Sequence, residues 1–164
     1  MIHDVLDLIR IFNQCFEQSD HTQLLLGGDE PLYLPKSSAY PYHRIYLARG
    51  YFSSGLHEVA HWLIAGKARR ELEDYGYWYI PDGRQAIEQE AFEKVECKPQ
   101  ALEWILSDAC AYPFQVSVDN LNGPPIDTLA FKAAIMHEKQ HLLRTGLNKR
   151  SKLFCLALNT FYCR

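Results

Sequence analysis

The chain has 164 residues, 48% of them hydrophobic and 23% charged, the balance of a soluble globular protein with material for one well-filled domain. A net charge of −3 at neutral pH excludes bulk attraction to nucleic acid or anionic lipid, and no stretch approaches the ~20 apolar residues needed to span a bilayer. The opening Met1-Ile2-His3-Asp4 lacks the basic region and apolar run of a secretory signal. The reading is therefore a cytoplasmic protein with no direct nucleic-acid or membrane partner.

In chain order, Val5, Leu8, Ile9, Phe12 and Phe16 recur at helical spacing and predict a helix over 2–16. Short apolar runs at 23–26, 32–34 and 44–48, punctuated by Gly27-Gly28-Asp29 and Pro35, predict strands. A helix follows directly, with Ser53 or Ser54 as its cap, Leu56, Val59, Ala60, Leu63 and Ile64 on its apolar face, and Gly66 as its stop. The aromatic run 75–80 has β character and is closed by the turn Pro81-Asp82-Gly83. Residues 86–110 are helical around the stripe Phe92, Val95, Leu102 and Leu106, with a kink or restart expected at Pro99. Two more helices are predicted over 128–144 and 149–160. With no internal repeat or linker, the expectation is a single α+β domain over 1–164, a small sheet packed with helices. Five scattered cysteines, Cys15, Cys97, Cys110, Cys155 and Cys163, form no CxxC pair and read as buried free thiols.

The helix after the strands carries His57-Glu58-Val59-Ala60-His61, an HExxH motif. Residues four apart share one face of a helix, so His57 and His61 can offer their imidazoles to one ion, with Glu58 beside its open side. Two histidines rarely hold a divalent metal alone, so a third protein ligand is expected. The acid-rich helix supplies Glu88, Glu90, Glu93, Glu96 and Glu103; by periodicity Glu88 lies within its apolar stripe and Glu96 at the margin, and both stay in contention. A second HExxH, His137-Glu138-Lys139-Gln140-His141, has polar inner residues. Phe131, Ile135 and Leu142 define an apolar stripe away from its histidines, which places it on the solvent side of an amphipathic helix.

Longer blocks are more specific than either motif. Gly28 to Pro35, Ser54 to Gly66, Arg69-Arg70-Glu71-Leu72, Gly76-Tyr77-Trp78-Tyr79, Pro81-Asp82-Gly83-Arg84, Phe92 to Leu102, Tyr112-Pro113-Phe114 and Asp119-Asn120-Leu121 resemble the bacterial elongation factor P hydroxylase family. The resemblance is dense over 5–123 and looser beyond. It implies hydroxylation of the β-lysylated lysine of elongation factor P by a mononuclear non-haem iron, Fe(II), with molecular oxygen as co-substrate. It also implies His57, His61 and Glu96 as ligands, with Glu93 and then Glu88 as alternatives for the third. Glu58 would then orient bound water or oxygen, or move protons.

A cationic substrate side chain suits an acidic, aromatic approach, for which Glu71, Glu73, Asp74, Asp82, Tyr77, Trp78 and Tyr79 are candidates. The competing reading is a zinc metallopeptidase with Glu58 as general base, and a third is a non-catalytic module that a metal stabilises. Zinc can also occupy an iron site in purified protein, because it competes well for nitrogen and oxygen ligands.

Overall fold

The computed structural model describes residues 1–77, 82–118 and 122–163. The first helix, α1 (Val5–Phe16), is capped by Asp4, whose carboxylate accepts from the Leu6 amide. Its face of Leu8, Ile11, Phe12 and Phe16 is buried. Three strands follow, β1 (Thr22–Leu26), β2 (Leu32–Leu34) and β3 (His43–Leu47), in the order β1-β3-β2. β3 pairs parallel with β1, Leu24 beside Ile45, and antiparallel with β2, Tyr33 beside Ile45. Its alternation of buried His43, Ile45 and Leu47 with half-buried Arg44 and Tyr46 gives the sheet one core face.

The helix α2 (Phe52–Ile64) lies on that face and buries Leu56, Val59, Ala60, Trp62 and Leu63. Gly55 lets it approach α1 closely: a Cβ there would stand 2.5 Å from Leu8 Cδ2. Trp62 is fully buried against Phe12 and Phe16, with ring centroids 5.2 and 4.9 Å away. After short 3-10 turns at Arg69–Glu71 and Glu73–Gly76 come α3 (Ala86–Ala109), α4 (Thr128–Thr145) and α5 (Lys149–Tyr162). Leu102 and Leu106 of α3 and Phe154 and Leu158 of α5 complete the main core, while Ala101, Phe131 and Ile135 form a smaller one between α3 and α4. The architecture is α+β, a three-stranded sheet with five helices.

Several local expectations are corrected. Neither Ser53 nor Ser54 caps α2: Tyr51 stands at the cap, and Ser54 Oγ instead accepts from the Ala48 amide at 3.1 Å, tying the helix to the end of β3. The helix stops at Ile64, with Ala65 rather than Gly66 at its C-terminal cap. Pro99 produces no restart; α3 runs unbroken from 86 to 109, with buried Gln100, Leu102 and Glu103 anchoring the turns beyond it. The aromatic run begins as a 3-10 turn rather than a strand, and its residues 78–80 lie outside the described residues. All five cysteines are free, but only Cys110 is fully buried and Cys163 is exposed. Among the described residues no helix is long and apolar enough to cross a membrane.

Candidate metal centre

The central turns of α2 project His57 and His61 toward the middle of α3, where Glu96 faces them. His57 Nε2 lies 3.2 Å from His61 Nε2 and 3.3 Å from Glu96 Oε2, and His61 Nε2 lies 3.0 Å from Glu96 Oε1. Three ligand-type atoms therefore stand within 4.8 Å of one another. Glu96 is almost fully buried, yet its Oε1 makes no aligned hydrogen bond. A buried carboxylate oxygen is costly to leave unmatched, and this one faces His61 Nε2 while its partner oxygen faces His57 Nε2. Two imidazoles and a carboxylate are a donor set that holds zinc or ferrous iron, so the residues present fit a divalent metal.

The surroundings fix these three side chains. Glu103, one further stretch along α3, accepts from His57 Nδ1 at 2.7 Å. A proton held on Nδ1 leaves the Nε2 lone pair free to bind a metal. Gln100, between the two glutamates, clamps α3 to the following loop: its amide nitrogen donates to Ser117 O at 2.6 Å, and its amide oxygen accepts from the Ser117 amide at 3.1 Å. Its amide also approaches Glu96 Oε2 at 3.5 Å. Glu96, Gln100, Glu103 and Ser107 are all buried, spaced by four, three and four residues. That spacing makes one polar stripe down the inward side of α3.

Electrostatics follow from this crowding. Burial alone would depress His57, but the carboxylates of Glu103 and Glu96 overcome it and raise the imidazole well above its ordinary value. Burial alone would raise Glu96, but His61 and His57 beside it draw it down to about 2. Glu58, half-buried on the same helix, is raised, first by burial and then by Glu96 and Asp74, against the opposing pull of His57 and His61.

A left-handed turn flanks the site. Asp74, Tyr75 and Gly76 carry φ of +45°, +60° and +71°. Two consecutive non-glycine residues in that region cost roughly 1–2 kcal/mol each. The turn is held by Asp74 Oδ1, which accepts from the Tyr33 amide at 2.9 Å, and by Arg69, which donates to Tyr75 O at 3.0 Å. It buries the Tyr75 ring against Tyr33, centroids 4.2 Å apart, and nearly parallel to His61 at 6.4 Å.

The acidic, aromatic approach expected for a cationic substrate is largely committed elsewhere. Asp74 braces the turn, and Asp82 accepts from the Gly83 amide and from both the amide and side chain of Asn122. Arg69 lies 4.1 Å over the Tyr77 ring, and Glu71 sits 3.9 Å from His43. Glu73 remains exposed; Trp78 and Tyr79 lie outside the described residues.

Glu93 and Glu88, the other candidate third ligands, are half-buried and stand outside the cluster. Glu93 instead lines a cleft of about 580 Å³ between the first half of α3 and the start of α4, whose lining does not include His57, His61 or Glu96. The second HExxH lies on α4 with His137 and His141 both exposed, while Phe131 and Ile135 face inward. It belongs to no metal-competent cluster among the described residues. Glu103, in the sequence one of five acids that could supply the third ligand, instead holds His57 Nδ1; its signal is the seven-residue step from Glu96, which returns a side chain to the same helical face.

Comparison with known proteins identifies the family. A relative from Haemophilus influenzae, an elongation factor P lysine hydroxylase, is 55% identical over 162 residues, covering 99% of this chain and 91% of its own length. The profile of the family described as elongation factor P hydroxylase matches residues 11–164, which include every member of the histidine–glutamate cluster. The chain therefore belongs to the elongation factor P hydroxylase family.

Proposed function

We propose that this protein hydroxylates the lysyl-lysine side chain of elongation factor P at a single iron ion held by His57, His61 and Glu96. One observation supports it: three buried or half-buried ligand-type atoms lie within 4.8 Å of one another, and Glu96 Oε1 has no aligned hydrogen bond there. Two nitrogens and one carboxylate leave further coordination positions open, and ferrous iron so held supplies the activation of oxygen that insertion into an unactivated C–H bond requires.

The chain's own residues do the rest. Glu103 keeps the His57 proton on Nδ1 and the ring in the plane that presents Nε2. Gln100 keeps Glu96 from swinging away by locking α3 to Ser117. Glu58, its carboxyl raised by burial, is placed one residue from His57 to hold or pass a proton. The substrate is a protein side chain, so its carrier must dock outside while the lysyl-lysine arm reaches inward.

The test is the intact mass of lysylated elongation factor P after incubation with the enzyme, ferrous iron, a two-electron reductant such as ascorbate, and air, the second oxygen atom leaving as water. A gain of one oxygen atom is expected, and no gain with the His57→Ala, His61→Ala double variant. A zinc peptidase is the second reading, favoured by Glu58 standing beside both histidines on one helix. Peptide cleavage that disappears in Glu58→Gln, with no mass gain on elongation factor P, would establish it instead.

A further inference from the structure

Tyr75, which stacks beside His61, is a buried polar group that the proposed chemistry leaves unused. Its ring is only 5% exposed, and its hydroxyl is buried with no hydrogen-bond partner. Its backbone is held in a left-handed turn with Asp74 and Gly76, a conformation that single residues visit and that runs of residues avoid. The turn does not arise from glycine alone; it is braced from outside by Arg69 and from the sheet by Tyr33. Such strain, enforced from several directions, is characteristic of functional positions. The result is a phenol lying parallel to the His61 ring, with Glu58 the strongest charge acting on it.

A hydroxyl placed there for packing alone would be better replaced by phenylalanine, since the oxygen makes no bond and loses its hydration. We propose that the Tyr75 hydroxyl, beside His61, is a hydrogen-bond donor to the small oxygen-class ligand that a metal held by His57, His61 and Glu96 would bind. Neutral phenol suits this role, because it offers one directed proton and adds no charge to a crowded cluster. The inference rests on the metal reading given above and assigns a residue which that reading does not need.

Nitric oxide, bound to the ferrous protein in place of oxygen, is the probe. The wild-type nitrosyl complex should show, by electron–nuclear double resonance, a strongly coupled proton that exchanges with deuterium. In Tyr75→Phe that coupling should vanish and the nitric oxide dissociation constant should rise about threefold to tenfold, the worth of one hydrogen bond. Iron content should be unchanged and the apo-protein should melt no lower than wild type. A wild-type complex without the proton coupling, or a coupling that survives in Tyr75→Phe, would overturn the assignment while leaving the metal site standing. A wild-type chain that takes up no iron at all would remove both.

Discussion

Glu96 and Glu103 sit on the same face of α3 and act on the same imidazole from opposite ends: one shares the ligand-facing nitrogen's space at 3.3 Å, the other holds the far nitrogen at 2.7 Å. Their substitutions should therefore differ in kind. Glu96→Ala should abolish iron retention through dialysis, whereas Glu103→Gln should leave the site intact and weaken iron about 10- to 100-fold. Glu93→Ala should do neither, and equal iron loss in Glu93→Ala and Glu96→Ala would remove Glu96 from the site. The pH behaviour has a definite sign. His57 is raised in the folded apo-protein, so its contribution to stability is complete below its ordinary value of 6.5 and fades as pH rises through the folded value. Glu96 is depressed to about 2, so its contribution is present above 4.5 and fades as pH falls toward 2. This cluster therefore supports the apo fold most between 4.5 and 6.5. With its pKa raised, His57 also carries a proton on Nε2 near neutrality; metal must displace that Nε2 proton while Nδ1 keeps its own on Glu103, so iron affinity should climb with pH across neutrality. Calorimetry in two buffers of different ionisation enthalpy should report about one proton released per ion bound. At this scale the two histidines were legible because an i, i+4 pair is a geometric statement. Glu96 was only one of several acids, because an isolated glutamate in a sequence is by default a surface group, and Glu103 became legible only once its partner across the helix pair was known.

The helix α2 carries the site, and its C-terminal end is clamped from two other segments. Arg150 donates to Leu63 O and Ala65 O at 3.1 and 3.0 Å while its guanidinium lies 4.3 Å over Trp62. Asn148 donates to Leu63 O and Arg70 to Ala65 O. Cations at a helix C-terminus answer both the unpaired carbonyls and the macrodipole. Arg150→Leu should lower stability by about 2–3 kcal/mol, from charged hydrogen bonds lost at a half-buried site, read as a shifted midpoint in urea. A change below about 0.5 kcal/mol would mean the clamp is incidental. The helices α1 and α2 were legible from their period of 3.6, which follows one buried face, and the three strands from short apolar runs punctuated by Gly27-Gly28-Asp29 and Pro35. The caps were not. Ser54 looked like a cap, but a serine at the entry to a helix can bond backward as easily as forward, and here the Ala48 amide at the end of β3 captures it. Pro99 looked like a break, and lacks the donor that a regular turn needs. Burial of Gln100, Leu102 and Glu103 beyond it keeps the helix in one piece, a tertiary constraint that local propensity does not contain.

At the scale of the molecule, one HExxH is folded against a buried carboxylate and the other is not. The first lies on the helix that the sheet and α3 enclose; the second rides the outer face of α4, which buries only Phe131 and Ile135. Replacing His137 and His141 together with alanine should change neither iron content nor mass gain on elongation factor P, and a loss of either would give α4 a part in the chemistry. The α+β class was legible because strands cluster early and helices late. What brings Glu96 across to His57 is the packing of α3 on α2, a pairing of segments some forty residues apart that no local pattern encodes. The central claim is that this packing makes one metal site from His57, His61 and Glu96. Anomalous diffraction at the iron edge from iron-loaded crystals tests it most directly. A single strong peak is expected about 2 Å from both Nε2 atoms and a Glu96 oxygen; a peak at His137 and His141, or at Glu93, or no peak in an active preparation, would contradict that claim.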